Sequence, residues 1–219
     1  MNNILGAIIS GVAAFAATNL DDLFLLMLYF SRANNDPQQE GNIILGQYIG
    51  FSVLVFISVL GYLGSLLIPR HYVGLLGIMP ILLGVRELLS LRQVNEQHEQ
   101  QVEADALELA SPAMFRSRLL NWLNPQTSSV AAVTVANGSD NLAVYTPLFA
   151  AGGVTSMLII ITIFLLMVRV WCLIADWLAE NPVTAGPLRR YGRRLMPFVL
   201  MGIGLTILIE SGAVELFIP

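Results

Sequence analysis

Runs of apolar residues long enough to cross a bilayer constrain this chain more than any other feature. A helical span needs about 20 mostly apolar residues. Hydropathy places six such runs, at 4–30, 43–67, 73–91, 127–150, 154–179 and 195–214. The chain therefore reads as an all-α integral membrane protein with six transmembrane helices, a single transmembrane domain over residues 1–219. Its balance agrees, with 56% hydrophobic and 12% charged residues, where soluble domains carry about 25% charged.

Composition narrows the chemistry. All 11 basic residues are arginine and the formal net charge is -4, so no basic surface recommends nucleic acid as a partner. One cysteine, Cys172, excludes an intrachain disulfide and paired-thiol redox chemistry. His71 and His98 are too few and too far apart for a His-based zinc site. No HExxH helix and no Walker motif occurs, so neither a metalloenzyme nor an ATP-driven pump is indicated, and no cofactor is expected. The N-terminal stretch MNNILGAIIS lacks a positive flank and reads as the start of a retained span, not a signal peptide.

The connections set an orientation. Segments 31–42, 92–126 and 180–194 hold Arg32, Arg92, Arg116, Arg118, Arg189, Arg190, Arg193 and Arg194, and the opposite side holds Arg70 alone. The positive-inside rule puts the arginine-rich side in the cytoplasm and both termini outside. Segment 92–126, rich in Glu and Gln, reads as a solvated cytoplasmic linker. Segment 180–194, with four arginines, reads as a loop, and AGG at 151–153 as a tight turn.

The halves echo each other. ATNLDDL at 17–23 lies over ANGSDNL at 136–142, and IMPILLG at 78–84 lies over LMPFVLMG at 195–202 with one extra residue. Repeat one would be 1–91 and repeat two 127–219. An odd number of spans in each copy inverts the second, giving two inverted three-helix repeats, the mark of many secondary transporters.

The echo carries the charge. Asp21, Asp22 and Asp140 fall at midspan, where each costs about 2.5–3.5 kcal/mol on insertion scales. They require a partner, a proton or water. Thr18, Asp21 and Asp22 stand at i, i+3 and i+4, so a continuous helix would put them on one face, and Asn137, Asp140 and Asn141 repeat the spacing. If the copies pack about a pseudo-twofold axis, three carboxylates and several amide or hydroxyl oxygens converge near the midplane. Asn137-Gly138 is a turn signal, and Thr18 and Ser139 fit helix N-cap chemistry. Broken helices at matched places point to a transport site and free carbonyl oxygens as further ligands. Oxygen ligands with net negative charge suit a divalent cation and disfavour an anion.

The stretches TNLDDLFLLMLYF, GQYIGF, LLGIMPILLGV, NGSDNLAVYTPLF, VWC and PFVLMGIGLTIL together resemble the cadmium resistance transporter family of the lysine exporter superfamily. The likeness covers nearly the whole chain except the 92–126 loop. It implies six spans in two inverted repeats and export of a divalent metal across a bacterial-type cytoplasmic membrane. It places the metal on Asp21, Asp22 and Asp140 with their neighbours Asn19, Asn137 and Asn141. Cadmium favours thiolate, whereas this oxygen-rich set suits manganese, calcium or magnesium, with zinc also admitted.

The expected function is thus a secondary transporter exporting a divalent cation of the cadmium, zinc or manganese class, proton-coupled, through a midplane site from spans 1 and 4. Its metal is substrate and its surroundings are the lipid bilayer. An amino-acid exporter of the same superfamily is the alternative. That substrate needs a cation for its carboxylate, and Arg169 alone offers one. Arg169 either replaces the metal at an empty site or snorkels and pairs with Asp176. Cys172 is either a ligand or a small apolar filler. Gly46-x-x-x-Gly50 permits close helix contact, with Gln47 and Tyr48 beside it as candidates to line the route. Pro80 and Pro197, at matched places, are kinks that either hinge or pack. Arg86 and Glu87 are expected to snorkel at the cytoplasmic end of span 3. Trp122, Trp171 and Trp177 fit an interfacial belt on the same side. Six short spans enclose little volume, which admits a homodimer.

Overall fold

A computed structural model describes residues 4–33, 35–67, 70–91 and 124–213, and the readings placed on the 92–126 linker, apart from its last residues, lie outside them. Every regular element among the described residues is helical. In chain order they are α1 (Ile4–Thr18), α2 (Leu20–Ala33), α3 (Pro37–Ser65), α4 (Arg70–Gly74), a 3-10 turn (Leu75–Gly77), α5 (Ile78–Ser90), α6 (Pro125–Asn137), α7 (Ser139–Glu180) and α8 (Pro182–Glu210). Four helices are long and apolar enough to cross a membrane, or five if α1 and α2, bent by 60° at Asn19, form one broken span. The molecule is a helical, multi-pass membrane protein.

Local sequence explains the boundaries. α3 and α6 start by the same device, a polar cap followed by proline at the first helical position. Asp36 Oδ1 accepts from the Gln38 N–H at 3.0 Å, and Asn124 Oδ1 accepts from the Gln126 N–H at 3.0 Å. Proline there loses a hydrogen bond that the first turn lacks anyway. The Gln39 side-chain amide, then the Gln38 N–H, hold the Asp36 carboxyl below its ordinary range. α7 has 42 residues, roughly 60 Å at about 1.5 Å per residue, about twice a bilayer core. Gly153 divides it at φ 71° and ψ 179°, a conformation that a Cβ effectively forbids. That is where the tight turn was expected.

One expectation fails here. Segment 180–194 is not a loop. Asn181 alone separates α7 from α8, which begins at Pro182 and runs unbroken through all four arginines to Glu210. Proline at the first position starts this helix too, and Pro187 falls inside it. The prolines and charges suggest a loop to any hydropathy reading, yet neither prevents helix near an N-terminus.

Packing pairs the helices across the halves: α3 along α6, α1 along α7 and α5 along α8. Glycine sets the distances. A Cβ on Gly46 would come within 2.6 Å of the Thr127 carbonyl oxygen, and one on Gly50 within 2.7 Å of the Ala131 oxygen, so the GxxxG pair does bring α3 against α6. Gly84 would similarly meet the Pro197 oxygen at 2.6 Å where α5 crosses α8. Pro80 is the third residue of α5, directly after the 3-10 turn, so it helps start a helix instead of breaking one. Outward faces are apolar: Val53, Phe56, Ile57, Leu60 and Leu63 form an exposed stripe on α3 at helical spacing, as a lipid-facing surface requires.

Candidate functional site

The interruptions at Asn19 and Gly138 lie beside each other in the core, and their flanking side chains meet. Asn19 is fully buried. Its Nδ2 donates to the Tyr145 hydroxyl at 2.6 Å and to the Phe15 carbonyl at 2.9 Å. Its Oδ1 accepts from Asn141 Nδ2 at 3.2 Å. Thr18 Oγ1 lies 2.9 Å from the same Tyr145 hydroxyl and bonds back to the Ala14 carbonyl at 2.9 Å. These contacts tie the end of α1 to the first two turns of α7.

A second set centres on Asp22, whose side chain is buried. Its Oδ1 accepts from Asn137 Nδ2 at 2.8 Å and its Oδ2 from Gln47 Nε2 at 3.4 Å. Gln47 Oε1 accepts in turn from Thr134 Oγ1 at 2.6 Å. An amide has distinct donor and acceptor ends: the Asp22 carboxylate accepts from the nitrogen end, while the Thr134 hydroxyl, able to donate or accept, can meet either end. A cavity of about 10 Å³ lies beside Asp22, lined also by Leu25, Tyr29, Gln47 and Thr134. One buried polar atom lacks a partner among the described residues: Asn141 Oδ1. Such an orphan acceptor is costly unless something donates or coordinates there.

The sequence-expected residues separate into two groups. Thr18, Asn19, Asp22 and Asn141 are buried, and Asn137 reaches Asp22 from an exposed position. Asp21 and Asp140 are exposed. No group of three or more His, Cys, Asp or Glu side chains has metal-holding spacing among the described residues. Among the described residues the buried polar set holds one carboxylate, Asp22, among amides and hydroxyls, with Asp21 and Asp140 exposed. The 60° bend at Asn19 removes the single face on which Thr18, Asp21 and Asp22 were to lie. Consecutive residues point about 100° apart on any helix, and on α2 Asp22 turns in while Asp21 turns out. Asp140 and Asn141 divide the same way.

Other expectations change as well. Thr18 does not cap α2, because its hydroxyl bonds backward to α1. Gly138 precedes α7 with no side-chain cap. The Asn19 carbonyl is not a spare ligand: it accepts from the Leu23 N–H at 3.1 Å and from Trp171 Nε1 at 2.8 Å. Trp171 thus belongs to the core, edge-on to Phe15 with ring centroids 5.2 Å apart, not to an interfacial belt. Arg169 is exposed, and the arginines that act on Asp21 are Arg193 and Arg189 of α8. Cys172 is buried within the apolar cluster. Sequence reasoning missed Tyr145 and Thr134 and misplaced Trp171. Tyr145 was within reach, since it follows Asn141 by four residues, one helical turn.

Fold and site together define the class: a multi-pass helical membrane protein whose polar core is built at two helix interruptions. A model of the family described as cadmium resistance transporter matches residues 15–219. The chain belongs to that family, which is one of transporters. No curated protein and no solved structure matches it.

Proposed function

We propose that this chain is a secondary transporter that exports a divalent metal cation across the cytoplasmic membrane, holding the ion between the broken spans 1 and 4. The observation that carries this reading is the network around Asp22 together with the unpartnered Asn141 Oδ1. Asp22 supplies charge, Asn141 an available oxygen, and Asn137 and Gln47 can each present oxygen in place of nitrogen by turning an amide. Asp21 and Asp140 flank the approach and concentrate cations. Such hard oxygen donors favour manganese, magnesium or calcium, with zinc admitted. Cadmium, the metal in the family's description, is softer and takes this set less readily.

The amino-acid alternative gains one feature, since Arg189 and Arg193 near Asp21 could meet a carboxylate. The cavity beside Asp22 argues against it. At about 10 Å³ it holds one water-sized object, which suits an ion.

The wider reading has six crossings: α1 with α2, α3, α4 with α5, α6 with the start of α7, the remainder of α7, and α8. The two triplets form inverted repeats, and the reciprocal packing of α3 on α6 and α1 on α7 supports this. Protons entering from outside displace the metal, because carboxylates can hold either. Calorimetry on purified protein with manganese, zinc, cadmium and calcium tests the site. Asp22→Asn should weaken binding at least about tenfold, the equivalent of about 1.4 kcal/mol. Unchanged affinity in that variant would sink the reading. Metal-dependent proton movement in proteoliposomes tests the coupling.

A further inference from the structure

We infer that Arg193, assisted by Arg189, is a built-in counter-cation for Asp21, and that Glu87 is the second carboxylate to which Arg193 moves when a divalent cation reaches the site. This rests on the cation-export reading and adds how the site is regulated. The first turns of α8 lie across the first turn of α2. A Cβ on Gly192 would come within 2.7 Å of the Leu20 side chain. The Arg189 guanidinium carbon stands 5.5 Å from the centroid of the Phe24 ring. Leu20 and Phe24 bracket Asp21 on that turn, and Arg189 and Arg193, four apart, share one face of α8. The field on Asp21 comes first from Arg193, then from Arg189.

Arg193 has another partner. Its Nη2 lies 3.7 Å from Glu87 Oε1 of α5, the long end of the ion-pair range, with both side chains mostly shielded. One guanidinium thus pairs with a carboxylate of α5 while belonging to the stretch of α8 that crosses the first turn of α2, where Asp21 sits. Glu87 is not simply snorkelling, as its place near the end of span 3 suggested. A divalent ion arriving at Asp21 brings two positive charges against the guanidinium and pushes it toward Glu87. Departure of the ion is assisted by the guanidinium's return. Because α5 and α8 pack along each other, the exchange passes occupancy of the site to that pair. Arg193 is a positioning residue, since it acts through Asp21.

The test uses the full chain in detergent and in proteoliposomes, with manganese and cadmium as probe ions at low salt. Arg193→Gln should tighten binding about tenfold and slow turnover, because the ion then leaves without a competitor. Arg193→Lys should restore both. Glu87→Gln should weaken binding about threefold, and that effect should vanish in the Arg193→Gln background. Wild-type binding that Arg193→Gln leaves unchanged or weakens overturns this inference alone. A wild-type protein that binds neither ion overturns the export reading and this inference with it.

Discussion

Tyr145 secures the first helix interruption from the other half of the chain. Its hydroxyl contacts both Thr18 and Asn19, while its ring lies 4.4 Å from that of Phe164, centroid to centroid. Tyr145→Phe keeps the ring packing and deletes the hydroxyl, so only the polar contribution changes. The loss should be about 1–2 kcal/mol, the cost of one buried hydrogen bond with its partner left short. It should appear as a lower unfolding midpoint in detergent, whereas Tyr191→Phe, at an exposed position, should leave the midpoint unmoved. Equal midpoints for the two variants would remove Tyr145 from the network. Asp22 is held by the same logic from the opposite side, two amides from two helices, which explains how a carboxylate sits in the core.

At the level of elements, close approach of α3 and α6 positions Gln47 and Thr134, and it depends on Gly46 and Gly50. Gly50→Ala would drive a methyl group into the Ala131 carbonyl and Thr134. Overpacking of this kind costs about 1–3 kcal/mol. Gly64→Ala in the same helix meets nothing within 4 Å and should be neutral or stabilising by up to about 1 kcal/mol. Opposite signs for the two substitutions, read as detergent unfolding midpoints and metal affinities, would establish that packing governs the site. Much of this layer was legible in sequence. Apolar length gave the multi-pass helical class, though four or five helices, not six, meet that length among the described residues, while GxxxG gave the contact and Asn137-Gly138 the second interruption. A break in span 1 was expected from its echo of span 4, but its place at Asn19 was not, since neither Gly nor Pro marks it and its contacts with Tyr145, Asn141 and Trp171 are tertiary. The helical course of α8 through 182–194 was hidden for the opposite reason. Proline and arginine there look like a loop until one sees them packed across α2. Read as a loop residue, Arg193 counts only as a cytoplasmic charge, which leaves Arg169 as the candidate cation.

For the whole molecule, burial follows the proposed symmetry. Asp22 and its counterpart Asn141 are buried, while Asp21 and its counterpart Asp140 are exposed. The arginine distribution predicts which end faces the cytoplasm. In a Cys172→Ala background, a membrane-impermeant maleimide applied to intact cells should label Asn3→Cys and spare Gln38→Cys. The reverse pattern would invert the proposed direction of transport.

The two interruptions are not held alike. At Asn19 an indole N–H is fastened to the backbone carbonyl, whereas at Gly138 the Leu54 side chain merely rests against the glycine. The polar ties of the second joint run through its neighbours instead, from Asn137 to Asp22 and from Asn141 to Asn19. Because those bonds end on Asp22 and Asn19, the two joints are fastened to each other, and neither can turn far without breaking a bond to its counterpart.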